Sequence, residues 1–80
     1  MKYFVYVIQS ASHHSRYIGV TQNFNKRLVE HNNGKCRYTK GRRPWELIYI
    51  EEYDNLSSAR KREIFLKSGQ GRKFLDEKLN

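Results

Sequence analysis

The spacing of hydrophobic and polar positions changes several times along the chain, and each change predicts an element. Residues 3–9, YFVYVIQ, are aromatic and β-branched, with no Gly or Pro. Apolar side chains on both faces of that run predict a central strand covered on both sides. A polar turn, SASHHS, follows. RYIGVT, residues 16–21, then predicts a second strand, hairpin-paired to the first through a loop of about six residues. Gly19 weakens that strand unless it marks a bulge or a close backbone approach. Over residues 24–33, Phe24, Leu28 and His31 share one helical face at ~100° per residue, with Arg27 at its edge. Asn23 suits the N-cap of this helix and Gly34 its stop. KCRYTKGRRP, residues 35–44, carries five basic side chains and no acid, which predicts an exposed loop. Pro44 disfavours helix just before it, and WELIYIEEY, residues 45–53, predicts a third strand. LSSARKREIFLK, residues 56–67, predicts a helix capped by Asn55 or Ser57. SGQG, residues 68–71, breaks it, and a short helix over 72–79 closes the chain. The order β-β-α-β-α-α predicts an α+β fold, a three-stranded, mainly antiparallel sheet flanked by helices, with residues 1–80 as a single domain.

Composition narrows the function classes. Eighty residues hold one core and leave no room for separate cofactor and substrate domains. At 38% hydrophobic and 14% aromatic the chain is not a disordered basic tail. No window approaches the ~18 apolar residues of a membrane span, so no membrane partner is expected. The N-terminal MKYFVYVIQS is too short in its apolar stretch for a secretory signal. A single cysteine, Cys36, permits neither an internal disulfide nor a Cys-rich zinc site, and it predicts a reduced, cytoplasmic setting. Sixteen Lys+Arg against eight Asp+Glu leave a net charge of +8. That excess predicts a polyanionic partner, nucleic acid before an anionic membrane surface, or serves only solubility.

Individual residues carry more information than the charge. On the second helix Leu56, Ala59, Glu63 and Leu66 fall within a roughly 80° sector, which puts a carboxylate in the middle of the apolar stripe. Buried carboxylates are paired or metal-bound. Glu63 is therefore either in a salt bridge with Arg60, Lys67 or a strand residue, or a functional group. Arg27 and His31, four apart, are neighbours on one helix face. Arg can clamp a phosphate and His can move a proton near neutral pH, although a solvated helix edge looks the same. The adjacent His13 and His14 in their turn do not converge as a metal pair. Tyr6 and Tyr17 suit strand packing, and Trp45 and Tyr49 suit the core. Tyr38, set among basic residues, could stack on a base. SGQGRK, residues 68–73, is either a helix-breaking turn or a set of backbone N–H groups that hold a phosphate beside Arg72 and Lys73.

In order, these residues form a series: Tyr6 in Phe4-Val5-Tyr6, then Tyr17-Ile18-Gly19, then Arg27, His31 and Arg62-Glu63. The series resembles the GIY-YIG endonuclease superfamily. RPWELIYIEE, ARKREIFLKSG and GRKFL resemble its short stand-alone bacterial members, and the likeness runs along the whole chain. The resemblance implies the GIY-YIG fold and a divalent-metal-dependent phosphodiester hydrolase. It implies that Glu63 holds Mg²⁺ or Mn²⁺, that Arg27 steadies the scissile phosphate, and that Tyr17 or Tyr6 is the general base. A phenol with a pKa of ~10 is a poor base at neutral pH, so His31, Arg27 and the metal are the expected helpers. The partner implied is nucleic acid, DNA rather than RNA, structured or single-stranded and read with little sequence specificity. Lys35, Arg37, Tyr38, Lys40, Arg42, Arg43, Lys67, Arg72 and Lys73 are the candidate binding surface. Gly19 would allow a helix or the phosphate to come close. The chain departs from the pattern at three places. Phe4 stands where the first motif has Gly. Val20 stands where the repair nucleases carry a catalytic Lys. Leu75 stands where the family has an active-site Asn, leaving Asn80 as the only candidate. These departures keep two alternatives in play: a binding module of weak or no activity, or an accessory subunit completed by a partner protein.

Overall fold

The central strand shapes everything around it. In the computed structural model, which describes residues 1–79, β1 (Tyr3–Ser10) lies between β2 (Arg16–Thr21) and β3 (Trp45–Tyr53), antiparallel to both. Its side chains alternate between two buried faces, as a period of two requires. Val5 and Val7 meet Ile18 and the helical residues Ala59, Leu66 and Leu75. Tyr6 and Ile8 point the other way, to Trp45, Tyr17, Phe24 and Leu28. The helices α3 (Leu56–Lys67) and α4 (Gly69–Leu79) thus cover one face and α1 (Phe24–Asn32) the other. The pairing of β1 with β3 slips between Val7 and Ile8, which face Tyr49 and Leu47, so Ile48 is the extra residue of a bulge. The fold class is the expected one.

The caps are local and legible. Asn23 accepts from the Lys26 N–H at 3.1 Å at the start of α1. Asn55 rather than Ser57 caps α3, accepting from Ser58 N–H at 2.8 Å. Gly34, at φ +79°, ends α1 in the left-handed region that glycine adopts freely. Beyond the caps, Arg62 of α3 grips Glu51 of β3 with Nε at 2.9 Å and Nη2 at 3.0 Å. The Tyr49 and Tyr53 hydroxyls donate to the same carboxylate. Burial pushes the Glu51 carboxyl up, but Arg62 and the two phenols outweigh it and hold it below the usual carboxylate range. The guanidinium also lies 4.8 Å from the ring centres of Phe65 and Phe74. One arginine therefore ties β3, α3 and α4 together.

Three expectations need correction. Residues 35–44 are not simply an exposed loop, because they contain a short helix, α2 (Arg37–Lys40), whose Thr39 is fully buried. The segment is pinned to the rest of the protein: Trp45 Nε1 donates to Thr39 O at 2.8 Å and Ser10 Oγ donates to Arg42 O at 2.5 Å. Leu56, at the first position of α3, is 43% exposed rather than part of the buried stripe. The break after α3 is one residue, Ser68, and α4 begins at Gly69. The amides there do not form a free phosphate nest, since Gly71 N–H donates to Ser68 Oγ at 3.2 Å and Arg72 N–H to Ser68 O at 3.0 Å.

Gly71 has a different purpose. A Cβ there would run into the Phe65 carbonyl oxygen and the Leu66 backbone, whereas one at Gly69 meets nothing within 4 Å. The corner between α3 and α4 is too tight for any side chain. Gly71→Ala is expected to destabilise by about 3 kcal/mol or more, because backbone must move. Gly69→Ala should be neutral or gain up to ~1 kcal/mol of helix propensity. Urea unfolding of the two variants beside wild type checks the contrast.

Candidate active site

Gly19 faces Tyr6 across the β1–β2 ladder. A Cβ at Gly19 would sit 2.5 Å from Tyr6 Oη and 2.7 Å from Cζ, so the phenol ring lies flat over the place where a side chain would be. The close approach foreseen at Gly19 is thus made by Tyr6, not by a helix. Held there, Tyr6 is 1% exposed and its hydroxyl lies 3.0 Å from His31 Nε2. The other ring nitrogen, Nδ1, is 2.8 Å from Thr39 Oγ1, and that hydroxyl lies 3.3 Å from the Cys36 carbonyl, to which it donates. His31 is itself 0% exposed.

The electrostatics follow from burial. Burial pushes the Tyr6 hydroxyl up to about 12, against the lowering pull of Arg27. Burial, then the Arg27 charge, lowers the His31 pKa, with Glu30 opposing. Both groups are therefore neutral near pH 7. Arg27 pairs through Nη1 with Glu30 Oε1 at 3.2 Å, and the Tyr6 phenol beside it leads the influences that raise its pKa.

Tyr17 lies at the front of this arrangement. Its ring is edge-on to His31 at 4.9 Å and to Tyr6 at 6.3 Å, and it tilts against Tyr38 at 5.7 Å. Tyr17 and Tyr38 form one side of a groove of about 820 Å³ whose lining also includes Arg16, Lys67 and Arg72. Tyr38 is 51% exposed, and Arg42 stacks on it at 4.9 Å.

The structure therefore brings Tyr6, Tyr17, Arg27 and His31 together, and places Tyr38, Lys67 and Arg72 around the groove. Lys35, Arg37, Lys40 and Arg43 stand exposed on the segment that carries Tyr38, while Lys73 is exposed on α4. Glu63 stands apart. It is 8% exposed on the buried side of α3, across the sheet from Tyr6. Its oxygens take Arg60 at 3.1 Å and Lys67 at 3.3 Å. Val20 packs against the cluster under α3 and α4, and Leu75 is buried within it. The Lys and Asn positions of the resemblance are thus apolar contacts here, and Asn80 lies outside the described residues. Thr39 was missed by sequence reasoning. A Thr eight residues beyond a His gives no periodic signal, and only the α2 turn brings the two together.

The family model of the GIY-YIG catalytic domain matches residues 2–79. The chain belongs to the GIY-YIG family. It is 46% identical over 68 residues to the UPF0213 protein SERP0126 of Staphylococcus epidermidis, covering 84% of this chain and 82% of that one. It is also 46% identical over 68 residues to a UPF0213 protein of Syntrophus aciditrophicus, covering 82% and 77%. The solution NMR structure of the UPF0213 protein BH0048 from Bacillus halodurans superposes with a TM-score of 0.58 at 28% identity, over 96% of this chain and 84% of that one. GIY-YIG domains are nuclease domains that act on nucleic acid, generally with a divalent metal. Among the described residues no helix is long and apolar enough to cross a membrane.

Among the described residues no three His, Cys, Asp or Glu side chains converge on one point. Glu63 is the carboxylate that the sequence resemblance implies as the metal holder. One carboxylate suffices for Mg²⁺ or Mn²⁺ that keeps most of its water, so the donor chemistry fits once Arg60 and Lys67 move off its oxygens.

The buried imidazole makes stability depend on pH. His31 titrates lower in the folded chain than its unfolded value of about 6.5. As pH falls through ~6.5 the unfolded chain takes up the proton first, so stability is full above that pH and declines below it, until the folded pKa is reached. Thermal melts between pH 7.5 and 5 are expected to show this slope, and His31→Gln to flatten it. Parallel pH profiles for the two proteins would contradict the assignment.

Proposed function

We propose that this protein is a divalent-metal-dependent endonuclease that hydrolyses phosphodiester bonds in structured or single-stranded DNA with little sequence specificity. The observation that supports this reading is the chain from Tyr6 Oη to His31 Nε2 and from His31 Nδ1 to Thr39, set directly behind Tyr17 and Arg27. Such a chain has no need to exist for packing alone, because an apolar residue would fill the space without polar groups to satisfy.

The residues divide the work by position. Tyr17 is the phenol that meets the groove, where it can orient the attacking water. Tyr6 is the phenol that meets the imidazole; its hydroxyl proton can pass to His31 Nε2, leaving a phenolate that can take the proton the attacking water loses. Neutral His31 is suited to accept the phenol proton, and Arg27 favours the phenolate that results. Arg27 can exchange Glu30 for the scissile phosphate. Glu63 is the residue that would hold the metal, which when bound supplies charge neutralisation to the phosphate and the leaving oxygen. Tyr38 and the cations around it give a stacking surface beside a phosphate track, a combination that tolerates sequence and favours unpaired bases.

Supercoiled plasmid, flaps and junctions incubated with Mg²⁺ or Mn²⁺ are expected to be nicked or cut. Glu63→Ala should lower the rate by a factor on the order of 10²–10³, the several kcal/mol that metal Lewis-acid assistance is worth. Cleavage that survives the substitution, or none by wild type, would sink the hydrolytic reading. A second reading is a nucleic-acid-binding module without hydrolysis. It is favoured by the two cations that already occupy the Glu63 oxygens and by the apolar Val20 and Leu75. It expects binding with a steep salt dependence that Glu63→Ala leaves unchanged. An accessory subunit would instead cleave only when a partner protein is added back.

A further inference from the structure

We propose that Thr39 is a positioning residue that fixes His31 in the tautomer whose Nε2 can take the Tyr6 proton. The inference rests on the reading above, in which Tyr6 and His31 serve hydrolysis. A neutral imidazole carries one proton on one of two nitrogens, and its neighbours decide which. Thr39 Oγ1 has two partners, His31 Nδ1 at 2.8 Å and the Cys36 carbonyl at 3.3 Å. The Cys36 carbonyl accepts the threonine proton, so Thr39 Oγ1 accepts in turn and His31 Nδ1 donates. Nε2 is left bare and accepts from Tyr6 Oη at 3.0 Å. The opposite arrangement, with Thr39 donating to Nδ1, would put the proton on Nε2 and leave the buried Tyr6 hydroxyl proton with no acceptor among the described residues. The chain of donors therefore runs one way.

The anchor is built to hold. Thr39 is fully buried, and its own carbonyl accepts from the Trp45 indole N–H at 2.8 Å. The groups facing His31 are Tyr6 from β1, Tyr17 from β2, Arg27 and Glu30 from its own helix, and Thr39 from α2. Of these only Thr39 contacts Nδ1, and Thr39 follows Tyr38, one of the two tyrosines of the groove, in the chain. The nucleic-acid-facing helix and the proton-accepting imidazole thus share one hydrogen bond.

Long-range proton–nitrogen NMR of the free protein reads the tautomer directly, without substrate or metal. Wild type is expected to carry the proton on Nδ1. Thr39→Val, which keeps the shape and removes the hydroxyl, should populate the Nε2–H form, and Thr39→Ser should restore the wild-type signal. In cleavage assays the valine variant should lose about tenfold or more in kcat with KM unchanged, and serine should recover it. Thr39→Ala serves the same comparison if valine disturbs folding. An Nε2–H wild type, or a tautomer that ignores removal of the hydroxyl, overturns the proposal. A wild type that cleaves nothing overturns the hydrolytic reading instead, while the NMR result still decides the role of Thr39.

Discussion

The site depends on one steric fact: the ring of Tyr6 lies where a side chain on Gly19 would have to be. Every polar contact in the cluster is downstream of that placement. With the ring flat against β2, its hydroxyl reaches across to α1 and meets His31, and His31 in turn reaches α2 through Thr39. Three elements, β1, α1 and α2, are joined by a line of two side-chain hydrogen bonds that begins at a glycine. A larger residue at position 19 would lift the phenol away from the sheet, and the buried imidazole would be left with an unmatched nitrogen. Unmatched buried groups cost about 1–3 kcal/mol, so the glycine supports stability and chemistry at once.

The two faces of β1 divide the protein's tasks. The face under α3 and α4 is aliphatic, with Val5, Val7, Ile18, Leu66 and Leu75, and Arg62 with its Glu51 partner braces that side. The face under α1 is aromatic and polar, and it carries the proton chain. Glu63 belongs by position to the first face, while the proposed function couples it to the second. The edge strand β2 is the short path between them, because Tyr17 on one side of it and Lys67, the ion-pair partner of Glu63, line a single groove. A site built around a sheet edge can gather groups from both faces without a cavity through the core.

The elements were legible in the sequence because their signals are local. Strand composition, Asn caps and the left-handed Gly34 needed no knowledge of the fold. Glu63 was legible as an anomaly, a charge on an apolar stripe, and its burial and ion pairs bear that out. The division of labour between the two tyrosines was not legible, since composition cannot tell a phenol that faces an imidazole from one that faces a groove. The α2 helix was also hidden. Its four residues include no aliphatic side chain, and Trp45 and His31 hold it from outside at Thr39. Gly71 shows the same limit. In sequence it looked like a breaker, and only the packing of α4 on α3 reveals that it sits inside a helix, at a corner with no room for a methyl group.

The charge excess takes on a different meaning once the pairs are assigned. Lys2 is held by Glu52 and Asp54, and Arg62 by Glu51, both away from the groove. Near the site the pairs are Arg16 with Asp76 at 2.7 Å, Arg27 with Glu30 at 3.2 Å and Lys67 with Glu63 at 3.3 Å. These three cations already hold a carboxylate at hydrogen-bonding range, whereas Arg72, which also lines the groove, pairs with none among the described residues. Ion pairs at such partly exposed positions are worth about 0–1 kcal/mol, so a phosphate can replace the carboxylate at little net cost. The segment over residues 35–43 has no acid of its own, and its cations are free to attract the polyanion from a distance. Attraction by the unpaired cations and exchange at the paired ones are separate steps. Salt weakens the first more strongly than the second, because screening acts over long range and a partly buried contact is shielded from it. On the proposed function, the net charge would govern how nucleic acid arrives, and the pre-paired arginines and lysine how it is held.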